Sequence, residues 1–264
     1  MRKINVKGQA NTGAIRVMKN SSVTIKNVDI ECLKKSGQNS NMYGIYASEN
    51  SSINIKSGKI HTSDCACIST NGNDKPGCII NIENGELTND NSYAIYMPAF
   101  GDINISGGEV QAINMRRGNL NVSGGKISKV AYSKEDADKI EDYPTYSGLV
   151  WLGDTVAILS GSNSYIKSDG EEIIINKTGG TVEKSFGTDE PFTVYCVDTS
   201  TFNQNVKFYG VAREDIKIVT HEDIIEHKSY TPKSQTKVFI DDVQVYPELP
   251  TMETSEDAVE EDGI

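Results

Sequence analysis

Along the first half of the chain, apolar and polar residues alternate with a period of two in short phrases. This is the pattern of strands that bury one face and expose the other. One phrase recurs five times, at residues 23–30, 53–60, 80–87, 103–110 and 120–127, and reads VTIKNVDI, INIKSGKI, INIENGEL, INISGGEV and LNVSGGKI. A second, shorter phrase precedes each copy: AIRV at 14–17, GIYA at 44–47, ACIS at 66–69, AIYM at 94–97 and AINM at 112–115. Counted on Ile15, Ile45, Cys67, Ile95 and Ile113, these recur at intervals of 30, 22, 28 and 18 residues. The distance from each short phrase to the next long one is seven or eight residues except in the third repeat, where it is 13, so the extra residues fall in the connections. Each repeat therefore predicts three short strands: the Ala-Ile phrase, the Ile-Asn-Ile phrase, and a charged-apolar pair after a glycine. No such strand can bury a core alone. Stacked on its counterpart in the next repeat, about 4.8 Å away, it satisfies its backbone and extends a shared interior.

Stacking turns the repeats into columns. The inward columns are Val23, Ile53, Ile80, Ile103, Leu120; then Ile25, Ile55, Ile82, Ile105, Val122; then Ile30, Ile60, Leu87, Val110, Ile127. Gly58, Gly85, Gly108 and Gly125 stand at the corner between the second and third strands, where a left-handed residue turns the chain. Val28 interrupts that column, so the first corner is expected to differ. An outward column runs Thr24, Asn54, Asn81, Asn104 and Asn121, and Asn5 joins it if Ile4–Gly8 is a sixth copy. The outward position of the short phrase reads Arg16, Tyr46, Ile68, Tyr96 and Asn114. A third outward column, Asp29, Lys59, Glu86, Glu109 and Lys126, mixes signs as a solvated face does.

These repeats resemble the right-handed parallel β-helix of the pectate-lyase-like superfold. The segments GIYASENSSINIKSGKI and AIYMPAFGDINISGGEV are similar to the Gly- and Asn-rich repeats of bacterial cell-surface adhesin-like and carbohydrate-binding β-helix proteins. The resemblance covers about half the chain. It implies an all-β solenoid on the cell surface or outside the cell, and it leaves activity open because the superfold hosts lyases, hydrolases, adhesins and phage tailspikes. A polysaccharide or a host or cell-surface glycan is the partner it suggests.

The candidate ligand-binding residues follow from the two outward columns. Tyr46 and Tyr96, two repeats apart, would lie roughly 10 Å from each other, close to the spacing of every second sugar in an extended glycan; alternatively the rings only cover the sheet. Asn54, Asn81, Asn104 and Asn121 could meet sugar hydroxyls, or could hydrogen-bond from coil to coil. Tyr43 and Tyr93 are expected at a corner or turned inward.

Charge narrows the partners. The 264 residues hold 26 Lys and Arg against 37 Asp and Glu, a formal net charge of -11, which argues against nucleic acid and anionic lipid. No stretch has the length and apolarity of a membrane span, and the first residues have no signal-peptide core. Five cysteines in an odd, unpaired arrangement (Cys32, Cys65, Cys67, Cys78, Cys196) read as free thiols in the core.

Catalytic and metal signatures are absent from the outward columns, so no catalytic residue, metal site or cofactor is assigned. Asp241-Asp242 reads as a turn. In His221–His227 the two histidines are six apart, unlike the zinc-protease spacing of four, and the segment reads as a charged helix or loop. The competing functional class is a polysaccharide lyase or glycoside hydrolase using carboxylates in long connections, such as Asp64 or Asp74; a third is a purely structural spacer or phage appendage.

The expected organisation is a β-helix over 1–185, regular to about 130 and irregular after it, with a charged insertion near 133–147 and a strand at 155–158. Residues 186–247 would form terminal coils that cap the solenoid or a small β-domain, and 248–264 a disordered acidic tail or linker. Because Ile4 and Val6 already match the middle of a coil, an upstream segment or a partner is expected to cover that end, as part of a longer protein.

Overall fold

The computed structural model describes residues 2–5, 12–33, 42–63, 65–70, 77–90, 93–128, 150–152, 169–184, 189–196, 202–223 and 234–249. The long insertion, the strand expected at 155–158, Val6 and nearly all of the tail lie outside them.

The chain enters at β1 (Arg2–Asn5) and then winds in coils. The first coil is β2 (Thr12–Val17), β3 (Ser22–Ile25) and β4 (Val28–Cys32); the second is β5 (Met42–Ala47), β6 (Ser52–Ile55) and β7 (Gly58–Thr62). The third is β8 (Ile68–Thr70), β9 (Cys78–Ile82) and β10 (Glu86–Asn89), and the fourth is β11 (Ile95–Met97), β12 (Gly101–Ile105) and β13 (Glu109–Gln111). The fifth is β14 (Ile113–Met115), β15 (Gly118–Val122) and β16 (Lys126–Ser128); the sixth is β17 (Val150–Leu152), β18 (Glu171–Lys177) and β19 (Thr181–Val182). β20 (Phe192–Cys196), β21 (Gln204–Tyr209), β22 (Ile216–Thr220), β23 (Thr236–Ile240) and β24 (Val243–Tyr246) complete the described chain.

Three sheets result. Sheet A runs β1-β4-β7-β10-β13-β16-β19, sheet B β2-β5-β8-β11-β14-β17-β20-β22, and sheet C β3-β6-β9-β12-β15-β18-β21-β23-β24. Among the described residues every pairing is parallel except β23 with β24, so the fold is all-β, a parallel β-helix. β20 to β23 continue sheets B and C in register. The final hairpin turns at Asp241 and Asp242, both at positive φ (46° and 64°), the geometry of a two-residue turn between twisted strands.

The three inward columns meet as expected: Ile53 pairs with Ile80 and Ile80 with Ile103, Ile55 with Ile82, and Ile60 with Leu87. All of these are buried in one continuous core. β-Branched residues suit this interior because they pack well on a pleated, two-sided contact. At the corner from sheet C to sheet A, Gly58 has φ of +110°, and a Cβ there would lie 2.2 Å from the Val28 carbonyl oxygen of the coil below. The first corner does differ: Val28 occupies the register of Gly58, and Asn27 takes the left-handed turn at φ 54°.

Two register expectations need correcting. β1 pairs with β4, setting Ile4 opposite Ile30 and Asn5 opposite Glu31, so residues 2–5 belong to sheet A and Asn5 is not in the asparagine column of sheet C. In the short phrase of the third coil it is Ile68, not Cys67, that aligns with Ile45 and Ile95. Ile68 therefore points inward and is buried, and Ser69 holds the outward position. Cys67, small and itself buried, fits the interior as well as Ile68 does, which hid this one-residue slip, and such a slip exchanges the faces.

Candidate functional site

On the outer face of sheet B the register is Arg16, Tyr46, Ser69, Tyr96, Asn114. Tyr46 and Tyr96 thus lie two coils apart on either side of Ser69, and both are half-buried. Each has a stacking partner three residues upstream, neither at a corner nor turned inward. Tyr43 stacks on Tyr46 with ring centroids 5.6 Å apart and planes 22° from parallel. Tyr93 stacks on Tyr96 at 5.4 Å and 28°. The cause is a break in alternation. Gly44 and Ile45 are both buried, as are Ala94 and Ile95, so residues three apart emerge on the same side. Gly44 permits this because a Cβ there would lie 2.5 Å from Ile60 Cγ2 and 2.6 Å from the Cys67 carbonyl oxygen. The signal was present as a repeated Tyr-small-Ile-Tyr, at 43–46 and 93–96. Arginines attend both pairs: the Arg16 guanidinium carbon is 6.0 Å from the Tyr46 ring centre and that of Arg116 is 5.2 Å from Tyr96, within the range of cation–π attraction. Arg16 is exposed, whereas Arg116 is buried.

The asparagines lie on sheet C, a different face. Asn81 Nδ2 donates to Asn54 Oδ1 at 2.8 Å, Asn104 to Asn81 at 2.9 Å, and Asn121 to Asn104 at 2.8 Å. Asn176, unrecognised in the sequence because the long insertion separates it from the repeats, adds a rung by donating to Asn121 at 2.8 Å. Asn81, Asn104 and Asn121 each spend one donor and the side-chain oxygen on the ladder. A neighbouring column contributes Asn119 Nδ2 to Asp102 Oδ1 at 2.6 Å and Ser52 Oγ to Ser22 Oγ at 2.7 Å. The structure therefore does not bring the Asn and Tyr candidates into one site.

Sheet A carries the charges. Lys59 pairs with Glu86 at 3.2 Å, and Lys126 bridges Glu109 at 3.8 Å and Glu183 at 2.6 Å. The hydrogen bond to Glu183, more than the nearby charges, raises the Lys126 pKa. One grouping was not anticipated. Asp29 and Lys59 are register partners, as are Glu31 and His61, and these four side chains border a cavity of about 320 Å³. His61 Nδ1 lies 3.0 Å from Thr88 Oγ1, and Nε2 lies 3.6 Å from Asp90 Oδ2. Glu31 and His61 sit one strand position beyond the repeating phrase, so no periodicity marks them.

None of the five cysteines is in a disulfide; Cys32, Cys67, Cys78 and Cys196 are buried. Burial pushes the Cys67 thiol up to about 12 and that of Cys32 up to about 11, so neither is a nucleophile near neutral pH. Asp241-Asp242 is the hairpin turn, where Tyr209 Oη donates to Asp242 Oδ1 at 2.6 Å. His221–Asp223 is a single 3-10 turn, with the rest of that segment outside the described residues, as are Asp64 and Asp74. Among the described residues, no group of three or more His, Cys, Asp or Glu is placed to hold a metal ion, and no helix is long and apolar enough to cross a membrane.

No protein-family model, curated protein or solved structure matches this chain.

Proposed function

We propose that this chain is a non-catalytic, adhesin-like module of the pectate-lyase-like β-helix type, exposed at a cell surface, that binds carbohydrate on the outer face of sheet B. The observation that carries the reading is the repetition of a stacked tyrosine pair two coils apart, Tyr43–Tyr46 and Tyr93–Tyr96, around Ser69. Two coils span about 9.6 Å at the parallel-strand spacing, so an extended glycan lying along the solenoid axis can meet an aromatic pair at every second sugar. Aromatic side chains with a polar tip suit such a ligand, since ring faces take C–H surfaces while phenol oxygens take hydroxyls. The amide ladder of sheet C supports the coils and is not part of this surface.

The test is a pull-down of the chain on insoluble and immobilised polysaccharides, with supernatants analysed for released oligosaccharides. Binding without products that is lost in Tyr46→Ala/Tyr96→Ala, with an unchanged melting curve, is the expected result. Binding that survives the double substitution removes the site. A second reading, a polysaccharide lyase or hydrolase, is favoured by the Asp29, Glu31, Lys59 and His61 grouping beside its cavity on sheet A. Released products that vanish in His61→Ala or Glu31→Gln would establish it instead; no binding and no products would leave the structural spacer.

A further inference from the structure

We propose that Asn84 is a site of self-modification, an Asn–Gly pair whose carboxamide the fold holds against the following backbone nitrogen so that it closes to a succinimide and opens to isoaspartate or aspartate. The Gly85 N–H donates to the Asn84 side-chain oxygen at 2.8 Å, which brings the nitrogen close to Cγ. Asn84 is exposed, so solvent base and water reach it. Gly85 adopts φ of +117° and has no Cβ to obstruct the approach.

The reaction needs only water. Solvent base takes the Gly85 amide proton, the nitrogen attacks Asn84 Cγ, and a new C–N bond closes a five-membered ring. The bond from Cγ to the carboxamide nitrogen breaks, and that nitrogen leaves, protonated, as ammonia. Water then adds to either imide carbonyl and one ring C–N bond opens. Opening at the side-chain carbonyl regenerates the normal backbone as aspartate, and opening at the main-chain carbonyl gives isoaspartate, with the chain routed through Cβ and Cγ.

The fold contains its own comparison. Asn27 stands at the matching corner of the first coil, because Val28 is in register with Gly58. Its side-chain oxygen accepts from Ser57 Oγ at 2.9 Å, and the next residue is β-branched. Asn27 is as exposed as Asn84, but its carboxamide is turned to a cross-coil bond, whereas Asn84 faces its own successor.

The change would alter the surface it occurs on. Asn84 lines a groove of about 590 Å³ with Lys59, Glu86, Glu109 and Lys126, where a new carboxylate would compete for Lys59, which Glu86 now holds at 3.2 Å. Isoaspartate also adds a methylene to the main chain at a tightly stacked corner: a Cβ on Gly108 would already fall 3.1 Å from the Asn84 carbonyl carbon.

The test holds the full chain at mildly alkaline pH beside a synthetic peptide spanning residues 81–88, with peptide mapping and enzymatic methylation of isoaspartate as readouts. The expected result is a gain of one dalton at Asn84 with isoaspartate in excess, a native-to-peptide rate ratio of one or more, an unchanged Asn27, and no gain in Asn84→Gln. A ratio below one, or conversion of Asn27 as fast as Asn84, overturns the proposal. The mapping separates this site from Asn71-Gly72, which lies outside the described residues.

Discussion

Replacing Asn104 with alanine removes the centre of the amide ladder. Its Nδ2 donates to Asn81 at 2.9 Å and its oxygen accepts from Asn121 at 2.8 Å, so two bonds are lost together. Asn176→Ala breaks the one bond to Asn121. A net intramolecular hydrogen bond contributes about 0.5–1.5 kcal/mol. The ladder is only partly buried, so Asn81 and Asn121 regain water and the penalty for leaving them unpaired is small. The expected loss is about 1–3 kcal/mol for Asn104→Ala and about half of that for Asn176→Ala. Asn104→Asp adds a test of direction. The carboxylate can still accept from Asn121 but sets oxygen against the Asn81 oxygen, so it should be at least as destabilising as alanine near neutral pH and partly recover when protonated. Urea unfolding followed by far-ultraviolet circular dichroism, with midpoints compared at common slope, gives these differences. Equal midpoints for Asn104→Ala and Asn176→Ala, or neither differing from the parent, would refute a ladder that stiffens the coils. Glycan binding should be unchanged in both, because the tyrosines occupy sheet B.

Three further outcomes follow from the packing. Ile103→Ala empties a fully buried position between Ile80 and Leu120 and should cost about 2–5 kcal/mol in the same urea assay. Gly58→Ala puts a Cβ 2.2 Å from the Val28 oxygen at a φ of +110° and should cost about 2 kcal/mol or more; a neutral result would mean that the coils can shift apart there. The folded state keeps the Cys67 thiol protonated, with its pKa raised from 9.0 to about 12 by burial. Its stabilisation is therefore full below pH 9.0 and is lost as pH rises toward about 12. Cys67→Ala should flatten that alkaline slope in urea midpoints, and an unchanged slope would discount the burial effect.

Much of the solenoid was legible because its rule is local. An apolar residue at every second position, a glycine at a fixed offset and an asparagine between two isoleucines repeat at matching places, and each coil copies its neighbour. That is why the columns of Ile53, Ile55 and Ile60 and the ladder from Asn54 to Asn121 could be aligned from the sequence. The errors came where the rule thins. The third short phrase allowed two registers because Cys67 and Ile68 are both small or apolar enough for the interior. Ile4-Asn5-Val6 matched the sheet C phrase as well as the sheet A one.

The candidate sites were less legible. Tyr46 and Tyr96 were identifiable as outward residues, but their stacking partners Tyr43 and Tyr93 depend on a strand bend that buries two consecutive residues. The Glu31–His61 pairing lies beyond the phrase, and Asn176 joins the ladder 55 residues after Asn121. None of these leaves a periodic trace.

By itself the sequence determined that the chain is a stack of short parallel strands with an isoleucine interior, since burial of one face at period two admits few other arrangements for strands this short. Tertiary structure alone decided which outward residues share a face. Three sheets meet at corners, so residues a few positions apart are sent to different sides of the solenoid. The asparagine ladder and the tyrosine pairs are therefore neighbours in sequence and strangers on the surface, while Tyr46 and Tyr96, fifty residues apart, flank a single serine.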